Sequence, residues 1–384
     1  MVSAVRRGES RRSVARRYGV SLSTVQWWEG RAGTRRLDRV NFSDRPRGPR
    51  QARNRTPREL EDTILELRRE LREDSDLGEY GAAAIRRELV RRGVLHLPCE
   101  RTIHRVVHRR GALDAKRRLR RKPPPGGWYL PLVAAGEAEL DAFDLVEGLV
   151  IEKGPQVVAY NVVSLHGGLV GAYPHTQMRA HVARDVLAQH WRDVGLPGYA
   201  QFDNGTVFQG PHQHADAIGS VIRMCLSLGV TPVFVPPQET GFQAAIEGFN
   251  GLWQSKVWSR FHHQSLEALR ERSERHVAAH RQRTARRQES APQRRPFPED
   301  WELDLEARPH GTIIFLRRTT DHGCVSVLGH SFVVDPTWTH RLVRCHVELD
   351  DDVMRFYALR RREPTKQPLL NEIPYRLPGP DSDG

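Results

Sequence analysis

The sequence predicts a multidomain α/β protein with an all-α N-terminal region of tandem helix-turn-helix units, a central mixed α/β domain and a small C-terminal β-barrel. Three observations predict it. Apolar residues recur at helical spacing in the first third of the chain. The middle third alternates strand and helix patterns, and from about residue 308 short alternating strands are separated by tight turns.

The charge of the chain is distributed unevenly. The 384 residues have a formal net charge of +13, but residues 1–122 carry 33 arginines and lysines against 16 aspartates and glutamates. The remainder carries 27 basic residues against 31 acidic ones. A basic excess confined to one region is typical of polyanion binding, so we expect DNA or RNA as a partner of the N-terminal part.

Two broad classes are disfavoured by the composition. The four cysteines have no CxxC spacing, which predicts reduced thiols and neither a disulfide framework nor a zinc site. No apolar run approaches the roughly 18 residues that cross a bilayer, so we expect a cytoplasmic protein without membrane contact.

Residues 1–40 predict the first helix-turn-helix. Val14, Ala15 and Tyr18 form one helical face, Gly19 ends it, and Ser21 can cap a second helix. An ordinary helical hairpin is the alternative. For DNA binding, the candidate contacts at the start of the second helix are Ser23, Thr24 and Gln26.

Residues 58–122 predict a second DNA-binding helix-turn-helix, which follows a Pro- and Arg-rich linker at 41–57. Its last helix carries basic and polar side chains around the exposed surface. The candidate DNA contacts there are Arg101, Thr102, His104 and Arg105.

The central domain is expected over 128–290. Strands are predicted at 138–146, 155–164, 167–173, 198–203 and 231–235, and helices at 179–194, 212–228 and 242–258. This βββ-α-β-α-β-α order is that of a ribonuclease-H-like domain, with a mixed sheet and helices on both faces. A linker at 292–301, a separate barrel at 308–362 and a tail at 363–384, disordered after Pro374, are expected to follow.

Three carboxylates fall where this order of elements would bring them together. Asp141 is on the first strand, Asp203 ends the fourth, and Glu247 is on the last helix. Oxygen ligands from three elements can hold two Mg²⁺ or Mn²⁺ ions about 3.5–4 Å apart. Further along the helix, Asn250 and Lys256 are candidate DNA-contacting residues.

Two other carboxylates compete for these roles. Asp144 lies three positions beyond Asp141, and strand alternation puts the two on opposite faces, so only one can point at the site. We favour Asp141. Glu239, in the loop before the last helix, is the alternative to Glu247.

The motifs around these carboxylates resemble those of the DDE transposase/integrase superfamily. Gln201-Phe-Asp-Asn-Gly-Thr-Val-Phe208 resembles the second motif, Ile246-Glu-Gly-Phe-Asn250 the third, and Glu139-Leu-Asp141 the first. With helix-turn-helix units ahead of it, the chain is similar to bacterial insertion-sequence transposases.

The resemblance implies an enzyme that cleaves and transfers DNA strands with the triad Asp141, Asp203 and Glu247 and with magnesium. It also implies double-stranded DNA partners (terminal inverted repeats and target DNA), assembly as a homo-oligomer on DNA, and a nucleoid-associated location. A catalytically silent, domesticated transposase that acts as a DNA-binding regulator is the alternative, and a ribonuclease-H-type nuclease is a third possibility.

Overall fold

The computed structural model describes residues 1–43, 56–114, 126–211, 214–239, 241–361 and 363–378. Most of the predicted linker at 41–57, the basic run and domain boundary at 115–125, and the last six residues of the predicted tail lie outside the described residues. The chain divides into two compact units, Met1–Leu60 and Glu61–Gly384.

The N-terminal unit contains three short helices, α1 (Val2–Arg6), α2 (Arg11–Arg17) and α3 (Leu22–Ala32). Ser21 caps α3, since its hydroxyl accepts a hydrogen bond from the Thr24 amide at 3.1 Å. Val14 of α2 and Val25 of α3 are fully buried against each other's helices. The two helices and the turn between them lie where the sequence predicts a helix-turn-helix.

A second set of helices, α4 (Arg58–Asp74), α5 (Ala82–Arg91) and α6 (Glu100–Arg109), follows. Each contributes one fully buried isoleucine, namely Ile64, Ile85 and Ile103. The buried carboxylate of Glu61 accepts hydrogen bonds from Arg109 and Arg110 at the end of α6. From Glu61 onward these helices belong to the larger unit.

The central domain is built on five strands. They are β1 (Leu140–Val150), β2 (Gln156–Ser164), β3 (Val170–His175), β4 (Tyr199–Phe202) and β5 (Thr231–Phe234), in the spatial order β3-β2-β1-β4-β5. The first three are antiparallel, whereas β1–β4 and β4–β5 pair in parallel. The mixed α/β class and the strand order that the sequence predicts for this region are confirmed.

Helices cover both faces of this sheet. Those of the domain are α7 (Pro131–Ala134), α8 (Ala180–Val194), α9 (Thr206–Gln209), α10 (Ser220–Ser227), α11 (Ala244–Trp253), which continues as a π-helical turn to Trp258, and α12 (Leu266–Gln288). On one face Phe143 and Phe202 stack and pack with Trp191 of α8. On the other, Ala142 and Val146 pack against Ile246 and Phe249 of α11.

The C-terminal strands do not form the separate barrel that the sequence predicts at 308–362. Strands β6 (Thr312–Arg318), β9 (Leu342–Glu348), β10 (Val353–Ala358) and β11 (Leu369–Pro374) extend the central sheet in the order β11-β10-β9-β6-β5. The join is the parallel pairing of β6 with β5, where Phe315 and Phe234 stack with centroids 5.2 Å apart.

The remaining strands form a hairpin, β7 (Cys324–Val327) and β8 (His330–Val333). Among the described strands β11 pairs with β10 alone, so this part of the sheet has an open edge and is not closed. β11 lies within residues 363–384, which the sequence predicts as a tail, and it ends at Pro374, after which the sequence predicts disorder. Alternating apolar residues predict strands in the same way for a barrel and for a sheet extension. The pattern does not show which strand pairs with which.

No helix in the described part of the chain is long and apolar enough to cross a membrane.

We predict that a fragment ending at residue 307 will not fold. Removing β6 exposes the edge of β5 and one side of the fully buried Phe234, together with the rest of a core shared across the β5–β6 join. Near-ultraviolet circular dichroism and cooperative thermal unfolding measure this, with the full chain as the control. A fragment that unfolds cooperatively near the temperature of the full chain would contradict a shared core.

Candidate functional site

The site lies where β4 ends beside the middle of its neighbour β1. Their parallel pairing places Ala142 of β1 opposite Gln201 of β4. Continuing the same register by two residues brings Asp144 beside Asp203, on the face of the sheet that α11 covers. Asp144, and not Asp141, is therefore the aspartate of β1 that lies level with Asp203.

Asp141 points to the opposite face and is fully buried. Arg294 donates to both of its oxygens, from Nη2 to Oδ2 at 2.6 Å and from Nη1 to Oδ1 at 3.0 Å. Trp191 Nε1 donates to Oδ2 at 3.1 Å, and the Ser164 hydroxyl donates to Oδ1 at 2.6 Å. Both oxygens of this carboxylate are thus used inside the protein.

The charge of Asp141 is already balanced. Burial alone would raise the pKa of this carboxyl group, but the Arg294 guanidinium outweighs burial and lowers it. A bidentate arginine of this kind is a strong, oriented partner for a carboxylate. Metal binding would require Asp141 to leave Arg294 unpaired in the core, so this environment does not support the ligand role that the sequence analysis favours for Asp141.

Asp144 has a different environment. The Asn250 side chain on α11 donates from Nδ2 to Asp144 Oδ2 at 2.8 Å, and Asn250 in turn accepts a hydrogen bond from Asn161 of β2 at 2.8 Å. The other oxygen of Asp144 accepts from the Leu145 amide at 2.9 Å. This chain of amides ties α11 to β1 and β2 directly at the carboxylate.

The three carboxylates Asp144, Asp203 and Glu247 share an unbalanced negative charge. Burial, together with the negative charges of Asp203 and Glu247, raises the pKa of Asp144 to about 6 against the hydrogen bonds that lower it. None of the three forms an ion pair with a basic side chain of the described residues. Asp203 and Glu247 therefore both lie within electrostatic range of Asp144.

The arrangement is not a closed metal site as it stands. Within the described ranges, no group of three or more His, Cys, Asp or Glu side chains is positioned to hold a metal ion. The donor set nevertheless fits a hard dication, since it consists of carboxylate oxygens and an uncompensated negative charge.

The residues that follow Asp203 fix its carboxylate. The Gly205 amide donates to Asp203 Oδ1 at 2.9 Å, and a Cβ on Gly205 would lie only 3.0 Å from that oxygen. Phe208 on the short helix α9 is buried and packs against Phe202 with centroids 4.9 Å apart. These contacts explain the Asp-Asn-Gly-x-x-Phe pattern as a turn followed by an aromatic anchor.

Glu247 is exposed at the first turn of α11, where a carboxylate is favoured by the helix dipole. Ile246 and Phe249, on either side of it in sequence, are buried and hold this turn against the sheet. The alternative residue Glu239 pairs with Arg318 and Arg361. Its charge is balanced, so Glu247 is the better candidate.

The predicted DNA contacts occupy two kinds of position. Those with exposed side chains are Ser23 and Gln26 on α3, and Arg101, His104 and Arg105 on α6. The hydroxyls of Thr24 and Thr102 instead bond to Ser21 and Cys99 at the starts of their helices.

Asn250 and Lys256 have partners inside the protein. Asn250 bonds to Asp144, as described above, and Lys256 Nζ donates to the Gly78 carbonyl at 3.2 Å. Asn250 thus bonds to a carboxylate of the site, and Lys256 joins the helical segment that continues α11 to the segment after α4.

Sequence reasoning missed Arg294. It lies within the predicted linker 292–301, yet this segment runs back across the domain. There Arg295 forms an isolated β-bridge with Leu196, and the Arg294 side chain is buried in an ion pair with Asp141. The buried aspartate on β1 was the only signal, since a buried carboxylate requires a cationic partner.

Comparisons with known proteins give weak structural likenesses only. No protein-family model and no curated protein matches the sequence. Among solved structures, the catalytic core domain of BIV integrase has a TM-score of 0.26 at 16% identity, covering 36% of this chain and 81% of that one. A simian T-cell lymphotropic virus intasome in complex with the PP2A regulatory subunit B56 gamma has a TM-score of 0.34 at 12% identity, covering 69% and 88%. Scores this low carry no argument about activity.

We predict that Asp141→Asn and Asp144→Asn change stability in opposite directions at pH 7.5. Asp141→Asn leaves Arg294 buried without its carboxylate, which should cost about 3–5 kcal/mol. Because the pKa of Asp144 is raised in the folded state, its ionised form opposes folding above about pH 6. Asp144→Asn should therefore stabilise the metal-free protein by about 1–3 kcal/mol.

Urea unfolding in the presence of EDTA measures both effects. Leu145 and Asn250 bond to Asp144 in the wild type, and an asparagine can keep one of these bonds, so the net sign is set by the charge. Equal destabilisation by the two variants would mean that both aspartates have structural roles.

Proposed function

We propose that the protein is a DDE-type DNA transposase or integrase, a polynucleotidyl transferase that cleaves DNA strands and joins them to a target. The triad we assign is Asp144, Asp203 and Glu247, with Asp144 in place of the Asp141 that the sequence favours. The observation that carries the proposal is a group of three carboxylates without a cationic partner among the described residues: Asp144 in the middle of β1, Asp203 directly after β4, and Glu247 in the first turn of α11.

The triad residues would hold Mg²⁺ or Mn²⁺, two ions in this class of reaction. Such ions, when bound, lower the pKa of an attacking water or 3′-hydroxyl and stabilise the leaving oxygen of a phosphodiester. Asn250 orients Asp144 by donating to one of its oxygens, and the Gly205 amide orients Asp203 in the same way. A carboxylate oxygen that accepts one hydrogen bond still has a second lone pair with which it could bind a metal ion.

DNA recognition is proposed for the two helical regions. Exposed arginines and polar side chains on α3 and α6 face away from their buried sides, as a helix that enters a DNA groove requires. The basic excess of residues 1–122 supports phosphate binding. We propose double-stranded DNA, element ends and target, as the partner, with assembly of several copies on paired ends.

A DNA-binding regulator without catalysis is the second candidate. It is supported by the absence of a closed metal site among the described side chains. The uncompensated charge at Asp144 argues against it, because burial and the charges of Asp203 and Glu247 raise the energy of ionised Asp144, and a bound cation would offset that cost. The two candidates differ in whether DNA joining occurs.

We predict that the purified protein joins DNA carrying the element's own ends to a plasmid target in the presence of Mg²⁺. Asp144→Asn, Asp203→Asn and Glu247→Gln should each lower joining at least 100-fold, because each removes a ligand charge and keeps the side-chain shape. Their DNA affinity, measured by gel shift, should stay within about twofold of wild type, since the helical regions are unchanged.

The matched control is Asp185→Asn, which removes an exposed carboxylate of α8 outside the site; this variant should join DNA as the wild-type protein does. Specific end binding without joining in the wild-type protein would leave the regulator as the function. Joining by Asp144→Asn at the wild-type rate would exclude Asp144 from the triad.

We predict that Mg²⁺ affinity depends on pH through Asp144. Its carboxyl group has a pKa of about 6 in the metal-free protein, so below that pH a proton competes with the metal. Calorimetric titration should give Mg²⁺ binding about tenfold weaker at pH 5 than at pH 7. In Asp144→Asn the remaining binding should be weak and nearly independent of pH over this range; an unchanged pH dependence would contradict the assignment.

A further inference from the structure

A polar cavity of about 520 Å³ lies beside Asp203, on the side of the C-terminal strands. Its walls include Asn204 from the Asp203 turn, Gln209 from α9, and Arg317, Arg318 and Thr320 from β6 and the residues after it. The strands that extend the central sheet thus supply one wall of a cavity next to the triad. This volume is within the range of small-molecule sites in proteins.

Arg317 lines this cavity and has no carboxylate partner among the described residues. Its guanidinium donates to the Asn204 side chain at 2.9 Å, to the Ser326 carbonyl at 3.1 Å and to the Leu316 carbonyl at 2.9 Å, all of them neutral acceptors. Burial lowers the pKa of Arg317 to about 10. The neighbouring Arg318, in contrast, is paired with Glu239. An anion that entered the cavity would balance the charge of Arg317.

Gln209 provides a second, independent observation. It is 8% exposed, and its side-chain Oε1 has no hydrogen-bond partner among the residues that the structure describes. A buried acceptor without a donor costs roughly 1–3 kcal/mol, so a ligand N–H group at this position would be favoured. The cavity therefore offers a cation for an anion and a neutral acceptor for an N–H group.

We propose that the cavity binds one nucleotide of the DNA strand that passes Asp203, with its phosphate on Arg317 and a base N–H group on Gln209. A free phosphate would use Arg317 but would leave Gln209 unsatisfied and most of the cavity empty. The inference rests on the proposed function, because that function is what identifies the bound strand as DNA. Arg317 donates to Asn204, which follows Asp203 directly. A phosphate on Arg317 would therefore lie near the carboxylates that act on the neighbouring phosphodiester.

The test uses the full chain in EDTA, so that binding does not depend on catalysis or on metal. The probes are 2′-deoxyadenosine 5′-monophosphate, inorganic phosphate and deoxyadenosine, each titrated while ligand-observed NMR measures binding. The nucleotide should bind at least tenfold more tightly than either fragment. Arg317→Gln should weaken binding of the nucleotide about tenfold or more, since a hydrogen bond to a charged group contributes roughly 1.5–3 kcal/mol.

Two variants separate this role from a structural one. Arg317→Lys keeps the charge and should recover part of the affinity for the nucleotide. Gln209→Ala should weaken binding of the nucleotide without changing binding of inorganic phosphate. The matched control is Arg192→Gln. Arg192 is an exposed arginine at the end of α8, before β4, whereas Asn204 and the cavity lie beyond the other end of that strand. The proposal would be overturned if inorganic phosphate bound as tightly as the nucleotide does, or if all variants bound the nucleotide equally well.

Failure of the proposed function would look different. Nucleotide binding that depends on Arg317 and Gln209, in a protein that joins no DNA, would leave the cavity assignment in place and remove the transferase. Joining activity with no nucleotide binding would do the reverse.

Discussion

The ion pair between Asp141 and Arg294 lies beneath the sheet on which the site is built. Both side chains are almost completely removed from solvent, and the carboxylate also accepts bonds from Trp191 and Ser164. The pair therefore joins four parts of the chain, from β1, β2, α8 and the segment after α12. With this charge balanced on one face of β1, the strand is held in the register that places Asp144 on the other face.

Two aspartates three residues apart on one strand thus have opposite surroundings. Asp141 has a cation supplied by the chain, whereas Asp144 is surrounded by amides and by two further carboxylates. The first arrangement stabilises the fold. The second raises the energy of the ionised group and leaves a place for an external cation. This division of roles follows from the pleat of a β-strand, which sends residues at odd spacing to opposite faces.

Much of the central fold could be predicted from the sequence. The strands and helices lie within a few residues of the predicted positions, because alternating and helical apolar patterns are strong there; the exception is α10, which begins at Ser220 and not near 212. The site was predicted in part. Asp203 and Glu247 belong to motifs with local causes, the Gly205 turn and the first turn of α11.

Other features could not be read from local patterns. The choice between Asp141 and Asp144 depends on which face α11 covers, and that is decided by packing between distant segments. Arg294 was hidden in a Pro- and Arg-rich stretch that has the composition of a linker. The C-terminal strands have the same alternation in a separate barrel and in an extended sheet, and only the pairing of β6 with β5 distinguishes the two.

The most direct test of this account is to locate a bound metal. Crystals of the protein soaked in Mn²⁺, measured at a wavelength where manganese scatters anomalously, would give the position of the ion independently of activity. The account predicts a peak between Asp144 and Asp203 with Glu247 turned toward it, and an intact ion pair between Asp141 and Arg294. A peak on Asp141 with Arg294 displaced would contradict it.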